Sequence, residues 1–117
     1  MTEHPLSDPE IEITPEEAER RVQDGAQLID VREPYEWEAG RIPGARHLEL
    51  ERLSSQAATI DKDAPVVFHC RAGVRSLMAA QAFRRAGYDA YSMSGGIEQW
   101  QAEGRAFEPA DGHVAPH

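Results

Sequence analysis

The chain has a single cysteine, Cys70, in 117 residues, and that scarcity excludes several chemistries at once. No intramolecular disulfide, C-x-x-C redox pair or zinc cluster of cysteine ligands can form, and no resolving thiol is available within the chain. Lysine is as scarce: Lys62 is the only one, so nearly all positive charge is arginine, planar and suited to bidentate contacts. Positive charge is in deficit overall, with 12 Lys and Arg against 21 Asp and Glu, and the net charge of -9 repels nucleic-acid phosphates and anionic lipid. Neither nucleic acid nor a membrane is therefore expected as a partner. No apolar run approaches membrane-spanning length, and Met1 to Pro5 lacks the basic start and apolar core of a signal peptide. A cytoplasmic, reducing location is the default expectation. Aromatic residues are few, and Trp37 and Trp100 are expected as core anchors, since nothing near them suggests a base or sugar site.

The chain length suits one domain with one core. Residues 1–9, polar and proline-bearing, are expected as a flexible arm, residues 10–104 as the folded domain and residues 105–117 as a loosely packed tail. Ile11 and Ile13 flank Glu12 in the manner of a short edge strand. Thr14-Pro15-Glu16-Glu17 then supplies an N-cap, a proline at the first helical position and a capping-box glutamate for a helix ending near Gly25. Gln27 to Val31 reads as a strand that runs into a long loop carrying Tyr35, Trp37 and Ile42 to Ala45. His47 opens a short strand, with a structural role expected, and residues 49–59 are expected as one helix. Tyr88 to Met93 makes a further strand, and Ile97 to Glu103 a final helix. His113 and His117 have no partners at metal-ligand spacing, and no metal is expected.

Val66 to Phe68 is a β-branched and aromatic run opened by Pro65, a buried strand by pattern, and Arg75 to Ala86 is an alanine-rich helix. Its stripe is expected to carry Leu77, Met78, Ala82, Phe83 and Ala86, leaving Arg84 and Arg85 to solvent. Cys70 stands between strand and helix, where backbone N–H groups and the positive end of the helix dipole favour a thiolate over a thiol. Arg71 and Arg75 add positive charge there. The whole describes a nucleophilic sulfur in an anion cradle. His69 invites a Cys-His dyad, but adjacent strand residues point to opposite faces, and a core histidine is the better expectation. Asp30, at a strand end, is expected as a structural carboxylate. Arg32 either pairs with Glu33 or Glu36 at the surface or leans toward a substrate anion.

At C-R-A-G-V-R, which starts at Cys70, the chain resembles the rhodanese-like sulfurtransferases. Leu28-Ile29-Asp30-Val31-Arg32-Glu33 with Glu36-Trp37, Gly40 and Ile42-Pro43-Gly44-Ala45 resembles that family's opening signature. Ser94-Gly95-Gly96-Ile97-Glu98-Gln99-Trp100 with Gly104 resembles its closing one, so three motifs in order span roughly Ile11 to Gly104. One departure is Arg41, where the family usually has histidine. Alternation of strands and helices already argues for an α/β sandwich, and the resemblance implies the rhodanese-like three-layer form: a mostly parallel five-stranded sheet flanked by helices.

The resemblance further implies that Cys70 attacks the outer sulfur of an anionic donor such as thiosulfate and becomes a persulfide. A thiol or cyanide, or a protein sulfur acceptor, would then remove that sulfur. The amides of about Ala72, Gly73, Val74, Arg75 and Ser76 would stabilise the charged sulfur, and Arg71 and Arg75 would orient the donor. Arg75 is the stronger candidate of the two because it closes the loop; its structural alternative is a salt bridge to Asp30 or a neighbouring glutamate, and both roles can coexist. No cofactor is needed, because the covalent sulfur is the carried group. The alternatives are a sulfur-relay or regulatory interaction module and, less in keeping with the residues, a phosphatase or arsenate reductase of the same fold. Their loop is one residue longer, which would put its arginine at Ser76. Inactive interaction modules commonly lack the cysteine.

Overall fold

The computed structural model describes residues 9–117. The arm expected over residues 1–9 therefore lies, apart from Pro9, outside the described residues. Five short strands form the sheet, the central ones built on apolar runs: β1 (Glu12–Ile13), β2 (Gln27–Asp30), β3 (Arg46–His47), β4 (Val66–His69) and β5 (Ala90–Met93). They join in the order β1-β5-β4-β2-β3, and every neighbouring pair is parallel. Parallel pairing requires crossovers, and these are α1 (Pro15–Gln23), α2 (Pro34–Ala39), α3 (Leu53–Gln56) with flanking 3-10 turns, and α4 (Val74–Arg85). A last helix, α5 (Gly96–Ala102), follows β5. Helix α1 begins as its sequence dictates: Thr14 Oγ1 accepts from the Glu17 N–H at 3.1 Å.

The period of two along a strand divides the interior into two cores, one on each face of the sheet. Ile29, Val31, Val66, Phe68, Ala79, Ala80, Phe83 and Ala90 belong to one, with Leu53 and Ile60 closing its edge. Leu28, Val67, Met93, Ile13, Ala18, Ile97 and Trp100 belong to the other. Cys70 continues the Val66 and Phe68 side and joins the first core, as the alternation argument requires.

Several local expectations give way. The expected helix over residues 49–59 is broken into Leu50–Arg52, Leu53–Gln56 and Ala57–Thr59. Ser55 and Thr59 donate from their hydroxyls to the carbonyls of Arg52 and Gln56, at 3.1 and 2.7 Å, and such local bonds compete with a regular helix. The long loop after β2 contains α2, started by Pro34 at its first position and by the Glu33 N–H donating to Glu36 Oε1 at 2.9 Å. The buried stripe of α4 is Ser76, Ala79, Ala80 and Phe83. Met78 is 55% exposed, and Leu77 is only half-buried while Ala82 and Ala86 are exposed. Small residues at three of the four inner positions let the helix lie close to the sheet, and Leu77 and Met78 fall outside the buried stripe. Arg84 is not free in solvent, because its Nε donates to the Ala90 carbonyl at 2.7 Å and its guanidinium lies over the Tyr91 ring. Trp100 is a core residue, whereas Trp37 is half-buried and stacks on His47, with ring centroids 4.9 Å apart.

The tail over residues 105–117 packs rather than hanging loose. Arg41 and Glu108 exchange backbone hydrogen bonds at 2.8 and 2.9 Å, and the His113 N–H donates to the Ala39 carbonyl at 2.9 Å. Phe107 and Val114 pack against the second core, and Ala115 is buried. Gly40 leaves the room for this, since a Cβ there would stand 2.4 Å from the Phe107 ring. Tyr35 Oη donates to the Pro116 carbonyl at 3.1 Å. Apolar residues spaced between prolines and glycines give no periodic signal, but Phe107, Val114 and Ala115 are nonetheless drawn against the folded domain.

Candidate active site

The strand β4 ends at His69, and the next residue, Cys70, is 1% exposed at the floor of a pocket of about 120 Å³. Arg71, Ala72, Val74, Arg75 and His117 complete the lining. Gly73, at φ +108°, turns the loop into α4. That turn aims backbone donors at the sulfur: the Gly73 N–H lies 3.1 Å and the Ser76 N–H 3.4 Å from Cys70 Sγ. Ser76 Oγ is 3.5 Å from the sulfur and 2.8 Å from Ser92 Oγ, so β5 fixes the hydroxyl from behind. Of the amides expected to cradle the sulfur, those of Gly73 and Ser76 reach Sγ itself, while Ala72, Val74 and Arg75 are residues of the pocket lining.

The glycine motif after β5 holds the loop from below. The N–H groups of Ile97 and Glu98 donate to the carbonyls of Cys70 and Arg71, at 2.9 and 3.1 Å. Gly96 makes the approach possible, since a Cβ there would lie 2.3 Å from the Arg71 carbonyl oxygen.

Asp30 and Arg32 stand apart from the pocket, as a fully buried pair. Arg32 Nη2 donates to Asp30 Oδ2 at 2.7 Å and to the Gly40 carbonyl at 2.8 Å, and the Arg32 N–H donates to Asp30 Oδ1 at 3.0 Å. Neither a surface pairing nor a reach toward substrate is open to Arg32. It instead ties the end of β2 to the start of the tail's docking groove. Burial alone would raise the Asp30 carboxyl; the Arg32 hydrogen bonds and charge hold it below its ordinary value. His69 is fully buried, with Nε2 3.8 Å from Asp30 Oδ2, and desolvation pushes its imidazole down, which keeps it neutral. Its ring lies beside Asp30 and outside the pocket lining, in keeping with a core histidine.

Arg75 points at the pocket from α4 while both its terminal nitrogens grip Glu36, at 2.9 and 3.0 Å. Glu36 is completely buried; burial pushes its carboxyl up, but the Arg75 hydrogen bonds and the Glu33 N–H hold it lower. Arg71 pairs with Glu98 at 2.9 Å, with both side chains partly exposed. His117 corrects an expectation outright: its Nε2 lies 3.1 Å from Glu33 Oε2, and it forms one group with Glu33 and Glu36 within 4.8 Å. Since Arg75 already occupies both Glu36 oxygens, ion pairing accounts for that cluster. Sequence reasoning missed Glu36 as the anchor of Arg75, although Glu33-Pro34 three residues ahead of a glutamate is a helix-start pattern. It missed His117 because the tail has no periodicity.

The rhodanese-like domain model matches residues 14–103. The chain belongs to the rhodanese-like family. Thiosulfate sulfurtransferase GlpE of Pseudomonas aeruginosa is 38% identical over 107 residues, which cover 91% of this chain and 94% of GlpE. A rhodanese-like domain protein from Staphylococcus aureus, 26% identical, superposes with a TM-score of 0.70 over 76% of this chain and 89% of its own. A rhodanese-related protein from Thermoplasma volcanium, 24% identical, reaches a TM-score of 0.77 over 82% of this chain and 95% of its own, and shares the fold. Against the family pattern, Arg41 in place of histidine has a visible use here. Its backbone pairs with Glu108, its Nη1 donates to the Trp37 carbonyl at 3.0 Å, and its guanidinium lies over the Trp37 ring.

Proposed function

We propose that this rhodanese-like protein carries sulfane sulfur as a persulfide on Cys70, taking it from thiosulfate and giving it to a thiophilic acceptor such as cyanide or a thiol. At the coarser level the chain is a sulfurtransferase, as its identity with GlpE over nearly the whole of both chains supports. The finer reading rests above all on the Gly73 and Ser76 amides directed at the only thiol.

In the first half-reaction the Cys70 thiolate attacks the outer sulfur of thiosulfate. A new S–S bond forms, the bond to the sulfonate sulfur breaks, and its electron pair departs with sulfite. In the second, the acceptor attacks the terminal sulfur and Cys70 leaves as thiolate, so cyanide becomes thiocyanate and no external oxidant or reductant is consumed. The attacking and the leaving species are both anionic sulfur, and two N–H donors at the start of a helix stabilise both. Arg71 and Arg75 border the same pocket and would orient the donor's sulfonate oxygens. Asp30 and Arg32 support the loop from a distance and touch no substrate.

Ser76 disfavours the phosphatase and arsenate reductase alternatives. It occupies the position where their longer loop carries arginine, and its N–H and hydroxyl are turned to the sulfur. Relay to a protein thiol is a second reading, favoured by Val74, 70% exposed, and Met78, which leave apolar surface beside the pocket mouth. No helix among the described residues is long and apolar enough to cross a membrane. The cytoplasm suits a carrier thiol that must stay reduced. With thiosulfate and cyanide, the parental protein should form thiocyanate, Cys70→Ser should fall to background, and an aryl phosphate should not be hydrolysed. Phosphate hydrolysis without sulfur transfer would contradict the proposal.

A further inference from the structure

Three basic side chains line the pocket above Cys70, and each has a carboxylate beside it: Arg71 with Glu98 at 2.9 Å, Arg75 with Glu36 at 2.9 Å, and His117 with Glu33 at 3.1 Å. Two come from the catalytic loop and the start of α4. The third arrives on the tail, far away in sequence. Its delivery is well determined, by the Arg41 and Glu108 backbone pair, the His113 N–H on the Ala39 carbonyl, and Tyr35 Oη on the Pro116 carbonyl. His117 also borders a second cavity of about 190 Å³, shared with Glu33, Glu49, Glu51 and Arg75, which opens beside the first.

We infer that His117 is a third cation of the donor-anion site, and that its imidazolium form makes thiosulfate binding depend on pH. The inference rests on the sulfur-transfer reading and adds to it a specificity-determining residue. Thiosulfate carries two negative charges, and the sulfonate end needs donors once the outer sulfur is seated near Cys70. Both arginines are shared with carboxylates, so a third donor on the open side of the pocket completes a ring around the anion. An imidazolium offers two N–H groups, so one bonds Glu33 while the other remains for the donor.

The charged groups facing His117 are Glu33 ahead of α2, Glu36 on α2, Arg75 on α4, Arg71 and Cys70 in the loop, and Glu49 and Glu51 across the second cavity. Carboxylates and guanidinium groups ordinarily keep their charge near neutral pH, so a pH dependence of anion binding that disappears with the imidazole reports on His117 itself. Cys70 acts in the opposite sense, because losing its proton creates the nucleophile. Removing the thiol separates the two effects.

The test is calorimetric titration of sodium thiosulfate into the Cys70→Ala protein between about pH 5 and 8, at low and at moderate salt. Affinity should fall as pH rises. Cys70→Ala/His117→Ala should bind about three- to tenfold more weakly at the acid end and show little pH dependence, whereas Cys70→Ala/His117→Arg should bind tightly at every pH. With the thiol present, His117→Ala should raise the thiosulfate KM more than it lowers kcat. Because the His117 side chain is 40% exposed, neither substitution should disturb folding, and thermal melts verify this. Equal affinity and equal pH dependence with and without the imidazole would overturn the inference. So would failure of the Cys70→Ala protein to bind thiosulfate at any pH. The persulfide reading stands or falls separately, on whether the parental protein acquires a sulfur atom at Cys70.

Discussion

Arg75 and Arg71 both face the cysteine pocket, but they differ in what stands behind them. Glu36 is fully buried and depends on Arg75 for its countercharge, while Glu98 and Arg71 are both partly open to water. Arg75→Ala should therefore destabilise the fold by about 3 kcal/mol, the lower end for a broken buried pair, while Arg71→Ala should cost less than about 1 kcal/mol. Denaturant unfolding measures both. On activity, Arg75→Ala should lower kcat/KM for thiosulfate by roughly one to two powers of ten, and Arg71→Ala by less. Glu36→Gln separates the roles: it weakens the anchor but keeps the guanidinium, so its activity should fall less than that of Arg75→Ala. Equal losses would make Arg75 a structural residue alone.

At the scale of elements, the loop holding Cys70 is shaped by two partners, α4 above it and the start of α5 below. Gly96 lies at φ +61° with the Arg71 carbonyl pressed against it. Gly96→Ala should push α5 and the loop apart, costing about 1–3 kcal/mol or more in stability and most of the sulfur-transfer rate. Retention of near-parental activity by that variant would show that the α5 contact does not position the sulfur. This arrangement was largely legible in the sequence, because its signals are local. The apolar run Val66 to Phe68, a glycine before a helix and the Gly95-Gly96 pair each dictate a backbone shape within a few residues. Asp30 stands at the end of a strand, a position its sequence pattern already indicates. What was not legible depends on distant segments meeting: Arg32 turning inward to Asp30 and the Gly40 carbonyl, Glu36 reaching Arg75, and His117 returning to the pocket. Residues 49–59 failed differently, because helix-compatible composition was overridden by Ser55 and Thr59 bonding to their own backbone.

For the molecule as a whole, an acidic chain has placed two of its carboxylates, Asp30 and Glu36, deep inside and matched each to an arginine. Both are held below their ordinary values. A group lowered in the folded state adds stability that is fully present above its unfolded value, about pH 4, and is lost as pH falls through the folded one. Urea unfolding should give a stability that begins to fall below about pH 6.5, where the unfolded chain protonates His69 but burial opposes it in the folded one, and that falls further below about pH 5 as the two carboxylates are protonated. Asp30→Asn should be at least about 3 kcal/mol less stable at neutral pH, with a shallower acid decline, because Arg32 is left buried without its countercharge. The sheet, the two cores and the returning tail all converge on one small pocket with one thiol at its floor, and the account turns on what that thiol does. Intact-protein mass spectrometry after thiosulfate treatment tests this most directly. The parental protein should gain one sulfur atom that a reducing thiol removes, and Cys70→Ser should gain none; no adduct on the parental protein, or the same adduct on Cys70→Ser, would contradict the account.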